Sequence, residues 1–348
     1  MSEWKTVRLG DVCEILDSKR VPITAHERKN GSYPYYGANG IQDYVADYIF
    51  DDELVLLAED GGNFGSKEKP IAYRVSGKCW VNNHAHVLKP KECLDVDYLC
   101  DSIKFYDVST IVNGATRQKL TQSAMVEMKI FLPPLETQKQ IAAQLDKCTS
   151  IITKHKQMLE KYDTLIKSRF IEMFGDPKIN SSNLPTKKFI EVVKLQRGFD
   201  LPVQERNQDG LFNVYGSNGP LDKHDSFKVK APGIVTGRSG TLGNVYYVLE
   251  DYWPLNTTLF SVDIHNNNVV YLKYLLELYD LSRFSEGAGV PTLNRNIVHD
   301  KDIIDVPLSL QNNFATFVQQ IDKSKFAVQK SLEKAETLYK SLMQLYFA

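Results

Sequence analysis

The sequence predicts an α+β protein of two mixed α/β globules separated by two long antiparallel helices. The helices form an intramolecular coiled coil, and the whole carries an internal pseudo-two-fold repeat. Three observations lead there. The chain of 348 residues repeats its motifs once, about half a chain apart. A long heptad pattern follows each copy. The stretches before the heptads are short β-branched and aromatic runs punctuated by Gly, Asn, Asp and Pro.

The repeat is carried by Tyr33 to Gly40 (YPYYGANG) against Phe212 to Gly219 (FNVYGSNG), by Asn113 to Leu120 (NGATRQKL) against Glu286 to Leu293 (EGAGVPTL), and by Leu132 to Gln138 (LPPLETQ) against Val306 to Gln311 (VPLSLQ). From the Gly-Ala pair onward the offset is constant at 173 residues. Before each Gly-Ala pair lies a helical stretch, near Val96 to Lys104 and again at Val269 to Tyr279. The apolar runs Val55 to Ala58, Cys79 to Val81, Gly233 to Thr236, Asn244 to Leu249 and Leu259 to Val262 read as strands.

The first heptad seam runs through Ile141, Leu145, Cys148, Ile152, His155, Leu159, Tyr162, Ile166 and Met173. At the same offset the second runs through Phe314, Val318, Ile321, Lys325, Val328, Leu332, Ala335, Tyr339 and Tyr346, with Lys325 as its polar interruption. Gly175-Asp176-Pro177 ends the first helix, a glycine cap followed by a proline that cannot continue it. An apolar stripe on a helix about 55 Å long cannot be left in water. Pairing with another copy of the chain would cover it, but the doubling favours pairing within one chain, where the partner is tethered. The expected boundaries are 1–132 for the first globule, 133–175 for the first helix, 176–306 for the second globule and 307–348 for the second helix.

Composition narrows the function. No N-terminal apolar segment follows Trp4, Lys5 and Arg8, and no stretch approaches the ~20 apolar residues needed to span a bilayer. The five cysteines include no C-x-x-C pair, which argues against disulfides and against a cysteine-based zinc site and for a reduced, cytoplasmic setting. The net charge of −1, from 42 basic and 43 acidic residues, is unlike that of a free-standing DNA binder. Any DNA binding must therefore use local positive charge or share phosphate contacts with a partner. The chain has no phosphate loop of the G-x-x-x-x-G-K-[ST] type and no G-x-G-x-x-G opening a helix. The glycine-rich strings at 61–65 and 237–243 have turn spacing rather than nucleotide-binding spacing. His84-Ala85-His86 lacks a third metal ligand in sequence and reads as a packed or hydrogen-bonded pair. Glu27-Arg28-Lys29 lacks the acidic partner of a nuclease.

Trp4 to Val12 (WKTVRLGDV), Gly114 to Leu120 (GATRQKL), Leu132 to Ile141 (LPPLETQKQI) and Phe170 to Pro177 (FIEMFGDP), in this order and doubled in degenerate form, resemble the specificity subunit of type I restriction-modification systems. The resemblance spans the chain. It implies that each globule is a target recognition domain for one half of a split, asymmetric DNA site. The helices would be conserved spacers that dock methyltransferase subunits, and restriction subunits where the system has them. It further implies a non-catalytic chain without cofactors. S-adenosylmethionine, ATP and Mg would serve adenine-N6 methylation and ATP-dependent cleavage in partner chains, the whole acting in host defence. The partners so implied are double-stranded DNA, two methyltransferase subunits and up to two restriction subunits. A different class, a structural adaptor with two protein-binding globules on a coiled-coil spacer, predicts no sequence-dependent DNA affinity.

Base edges are read by Arg, Lys, Asn and Gln, and phosphates and sugars by basic, hydroxyl and aromatic groups. In the first globule the residues suited to DNA contact are Lys19, Arg20, Tyr36, Asn39, Asn63, Lys67, Asn82, Asn83, His84, Arg117 and Lys119. In the second they are Arg197, Tyr215, Ser217, Asn218, Arg238, Ser239, Thr241, Asn256, Thr257, Asn294 and Arg295. Asn-Gly pairs also form turns, and single basic residues are often merely solvated. A ruler follows from the helices: one added turn of about 5.4 Å should widen the unread gap by one to two base pairs.

Overall fold

The computed structural model describes residues 4–66, 68–114, 118–287 and 291–347. The first module comprises β1 (Lys5–Arg8), α1 (Leu9–Val12), β2 (Cys13–Ile15), β3 (Asn30–Gly37), β4 (Gly40–Val45), β5 (Phe50–Ala58), β6 (Ala72–Val81), β7 (Ala85–Pro90), α2 (Val96–Ile103), α3 (Gln122–Val126) and β8 (Lys129–Leu132). The long helix α4 (Leu135–Phe174) follows. The second module comprises β9 (Thr186–Lys188), α5 (Phe189–Val192), β10 (Lys194–Arg197), β11 (Phe212–Gly216), β12 (Gly219–His224), β13 (Gly233–Gly237), β14 (Val245–Val248), β15 (Tyr252–Pro254), β16 (Thr258–Asp263), α6 (Val269–Tyr279), β17 (Ser285–Glu286), β18 (Thr292–Leu293), α7 (Arg295–His299) and β19 (Asp302–Ile304). It leads into α8 (Leu308–Phe347).

The sequence repeat is a repeat of topology. The first module has a six-stranded sheet in the order β2-β7-β5-β6-β3-β4, beside the pair β1-β8. The second has β10-β16-β13-β14, then β15-β11-β12, beside the pair β9-β19. The order is the same, with the single strand β6 replaced by β14 and β15. Each module contains a parallel strand pairing at the same place, β3 with β6 and β11 with β15.

The apolar run of β5 is explained by cover on both faces. Leu54 and Leu56 enter one cluster with Val75, Val81 and Val87. Val55 and Leu57 enter another, with Tyr98 and Leu99 of α2. In β13, Ile234 and Val235 divide between two clusters in the same way. Asp95 caps α2 by accepting from Asp97 N and Tyr98 N, and Asn268 caps α6 by accepting from Val270 N and Tyr271 N.

Each compact unit takes a piece of both long helices. One unit spans 1–154 and 332–348, the other 155–331. In the first unit Ile141, Ala142 and Leu145 are buried, and Tyr339, Leu342, Met343, Tyr346 and Phe347 from the end of α8 pack on the same core. Tyr346 stacks on Trp4 and donates to Gln144 Oε1 at 2.8 Å. In the second unit Ile166, Phe170 and Phe174 from the end of α4 join Phe314, Ala315 and Val318 from the start of α8, with Ile321 partly buried. Start meets end in both units, so the helices pair antiparallel and within one chain. Between these cores Ile152, Leu159 and Val328 are half-buried while Leu332 is buried. Lys325, the polar break in the seam, pairs with Asp163 at 2.5 Å. α4 stops where Gly175 adopts φ +75°, a conformation glycine takes without strain.

Candidate nucleic-acid interface

In the first module the β3–β4 turn, the loop after β5 and the β6–β7 turn converge. Asn39 donates to Gly61 O at 2.9 Å. Asn82 N donates to Tyr36 O at 3.0 Å, and Asn82 Nδ2 donates to Gln42 Oε1 at 3.0 Å. Asn82 Oδ1 accepts from His84 N at 2.8 Å, and His84 Nδ1 lies 2.6 Å from Asp60 Oδ1. Tyr36 packs on Tyr73, whose hydroxyl donates to Gly37 O. Asn83 and Lys19 are exposed. Asn63 stands apart, donating to Pro70 O at 3.3 Å. Lys67 and Arg117 lie outside the described residues.

Beneath these turns sits an ionic cluster. Asp17 Oδ2 is 2.6 Å from Nδ1 of the fully buried His86, whose Nε2 is 2.8 Å from Leu120 O. Both ring nitrogens thus face oxygen acceptors. Arg20 reaches inward to Glu59 at 2.5 Å, Asp17 at 3.4 Å and Ala85 O at 2.8 Å. Lys119 pairs with Glu59 at 2.8 Å. Burial alone would push the Glu59 carboxyl up, but hydrogen bonds from Lys119 and Arg20 and the charge of His86 hold it below the usual carboxylate range. Asp17, Glu59 and His86 place their ligating atoms within 4.8 Å of one another, yet the Arg20 guanidinium already meets both carboxylates. The histidine pair of the sequence is therefore divided, His84 to the turn and His86 to this cluster.

In the second module the corresponding turns meet around Arg238. Arg238 N and Ser239 N both donate to Thr257 O, at 2.8 and 3.3 Å, and Ser217 Oγ donates to Ser239 O at 3.0 Å. Asn256 donates to Asp200. Asn218 and Thr241 are exposed, and Tyr215 is buried against Tyr252, its hydroxyl pKa pushed up by burial. Asn294 caps α7 by accepting from Asn296 N. Arg197, Arg238, Asn294 and Arg295, with Glu286, Thr292 and Leu293, line an open cleft of about 370 Å³. Among the described residues none of these three arginines forms an ion pair. Sequence reasoning had named these arginines separately, and the fold brings them together. It had missed Asp17, Gln42, Glu59, Asp60, His86, Asp200 and Glu286, which lie far apart in sequence and carry no spacing signal.

A tandem pair of mixed α/β modules, each with a core completed by parts of both long helices, defines a class of duplicated two-module protein. The family model of the type I restriction modification DNA specificity domain matches residues 1–161, the first module and the first part of α4. The chain as a whole is similar to type I restriction-modification specificity subunits, as the sequence resemblance had implied. A Haemophilus influenzae protein named as a type I restriction enzyme specificity subunit is 26% identical over 96% of this chain and 91% of its own length. The specificity subunit of the Escherichia coli type I enzyme EcoprrI is 29% identical over 42% of this chain and 36% of its own length. The crystal structure of the type I restriction-modification S subunit from M. genitalium superposes with a TM-score of 0.71 at 15% identity, covering 99% of this chain and 96% of that one. Among the described residues no helix is long and apolar enough to cross a membrane.

Proposed function

We propose that this chain is the non-catalytic DNA-reading subunit of a type I restriction-modification complex, recognising a bipartite, asymmetric target with one half-site per module. The duplicated topology with divergent turns carries this reading. Two modules of one strand order present different side chains at matching turns, so their half-sites differ in sequence. The DNA-facing groups are Lys19, Tyr36, Asn39, Asn82, Asn83, His84 and Lys119 in the first module. In the second they are Arg197, Ser217, Asn218, Arg238 to Thr241, Asn256, Thr257, Asn294 and Arg295. The bases between the half-sites go unread.

The paired helices dock methyltransferase subunits. Ile151, Met158 and Leu165 follow one another at seven-residue steps on α4 and are 40–45% exposed, as are Leu338 and Leu345 on α8 at 49–52%. S-adenosylmethionine and the adenine-N6 transfer belong to those partner subunits; ATP and Mg serve restriction subunits where present. The near-neutral charge of the chain fits a subunit that shares phosphate contacts with its partners.

Co-expression with the neighbouring methyltransferase gene in a methylation-free host, followed by genome-wide mapping of N6-methyladenine, tests this reading. A split asymmetric motif with a fixed gap is expected. A stable complex that leaves no motif would favour the adaptor role instead.

A further inference from the structure

The two modules carry opposite charge at one place in their sheets. Leu120 N donates to Glu59 O, and Leu293 N to Arg238 O, both at 2.7 Å. Glu59 N donates to His84 O at 2.9 Å, and Arg238 N to Thr257 O at 2.8 Å. Arg238 thus stands where Glu59 stands. Across the central strands His86 pairs with Leu57, and Leu259 with Thr236, so Leu259 replaces His86. Arg197 pairs with Leu259 on the neighbouring strand, the position from which Asp17 reaches His86. Two carboxylates in the first module have become two arginines in the second.

The consequence for each site differs. In the first module Arg20 plugs the position and meets both carboxylates. In the second, no acidic or basic side chain among the described residues pairs with Arg197 or Arg238 in this way. Arg197 and Arg238 face an open cleft joined by Arg295, with Glu286 as the one carboxylate among its lining residues. Three guanidinium groups and one carboxylate leave a surplus of positive charge that calls for an external anion.

We propose that this cleft is a phosphate-oxyanion site of the second module, occupied by the DNA backbone, at a place where the described residues of the first module hold an internally paired ionic cluster. This rests on the DNA-reading function proposed above and adds to it an unequal division of labour, with salt-sensitive anchoring in the second module. Guanidinium forks match phosphate oxygens bidentately. The cleft also shares its backbone with the turns of Ser217 and Thr257, which sets a bound phosphodiester beside groups that can read bases.

The test uses the full chain. Binding of a labelled random-sequence duplex is measured by anisotropy over a series of potassium chloride concentrations. In parallel, the Tm is recorded with and without inorganic phosphate. Arg197→Ala and Arg238→Ala should each weaken duplex binding several-fold and flatten the log–log salt slope by about 0.9 per lost phosphate contact. Lys187→Ala, which removes an exposed pair with Asp305, should leave both unchanged. Phosphate should raise the Tm of the wild type and not that of the double variant. Should alanine unfold the module, Arg238→Gln is judged by the same slope. Unchanged slopes with phosphate protection lost would overturn DNA as the occupant and leave a site for free phosphate. A wild type that binds phosphate but no duplex, even when the methyltransferase subunits are added, would sink the DNA-reading function itself. Neither readout changing in the variants would overturn the site.

Discussion

Gln138 Oε1 accepts the backbone N–H of Asp95 at 2.8 Å, joining the first turn of a long helix to the cap of a short one. Its Nε2 donates to Cys93 O and Pro133 O. At the repeat offset, Gln311 Oε1 accepts from Asn268 N at 2.8 Å, and its Nε2 donates to Asn267 Oδ1 and Val306 O. Both side chains are buried. Each glutamine satisfies backbone groups that the chain leaves behind as it enters the helix.

Gln138→Ala should therefore destabilise the protein by about 2 kcal/mol, since it strands the buried Pro133 O and removes the part-buried bonds to Asp95 N and Cys93 O. Gln311→Ala should cost a similar amount. Urea unfolding of both variants checks this, and a loss below about 1 kcal/mol would show that water replaces the amide.

Arg20 is held by two carboxylates and two backbone oxygens, with its side chain only 12% exposed. Arg20→Ala leaves Asp17 and Glu59 undercompensated and should cost about 3 kcal/mol. Arg20→Lys should recover little, because an ammonium cannot span the same fork of acceptors. Denaturation of both variants distinguishes this structural part from a purely surface one.

His299 Nε2 accepts the Leu195 N–H at 3.0 Å, which requires a neutral ring at that nitrogen. Burial, then the nearby Arg295, lowers its pKa from the ordinary histidine value. A folded pKa below the unfolded one of ~6.5 means that the stability it contributes is present above that value and is lost as pH falls. Unfolding free energies measured between about pH 7 and pH 5 should decline in the wild type and decline less steeply in His299→Gln.

Truncation after Lys334 removes Tyr339, Leu342, Met343, Tyr346 and Phe347 from the core that they share with Tyr98, Ile141 and Leu145. Loss of so many apolar contacts should cost about 3 kcal/mol or more. Limited proteolysis should then cut first within 4–132 although the deletion is at the far end of the sequence. Cleavage confined to 176–306 would contradict the shared core.

Matched insertions of one heptad into α4 and α8, between the two cores, keep the apolar seam in register and add about 10.5 Å. If the helices set the gap between half-sites, methylome mapping should show it lengthened by about three base pairs. An unchanged gap would end the ruler idea.

The repeat, the long helices and their antiparallel pairing were legible in the sequence because they depend on local periodicity and on motif order. Gly175 and Pro177 marked the end of α4, and Gln138 and Gln311 fell in matching motifs because one backbone junction must be satisfied twice. Other features needed the tertiary structure. Lys325 looked like a flaw in the seam until Asp163 on the other helix was seen beside it. Arg20 was expected, with Lys19, to contact DNA, but the chain folds Glu59 and Asp17 around it. Arg197, Arg238 and Arg295 have no common spacing, and only the order of strands β10-β16-β13 and the segment after β18 brings them to one cleft. Periodic burial is decided by neighbours along the chain and can be read from it. Charge pairing acts over a few ångströms between residues tens of positions apart, and only the folded chain decides which charges meet.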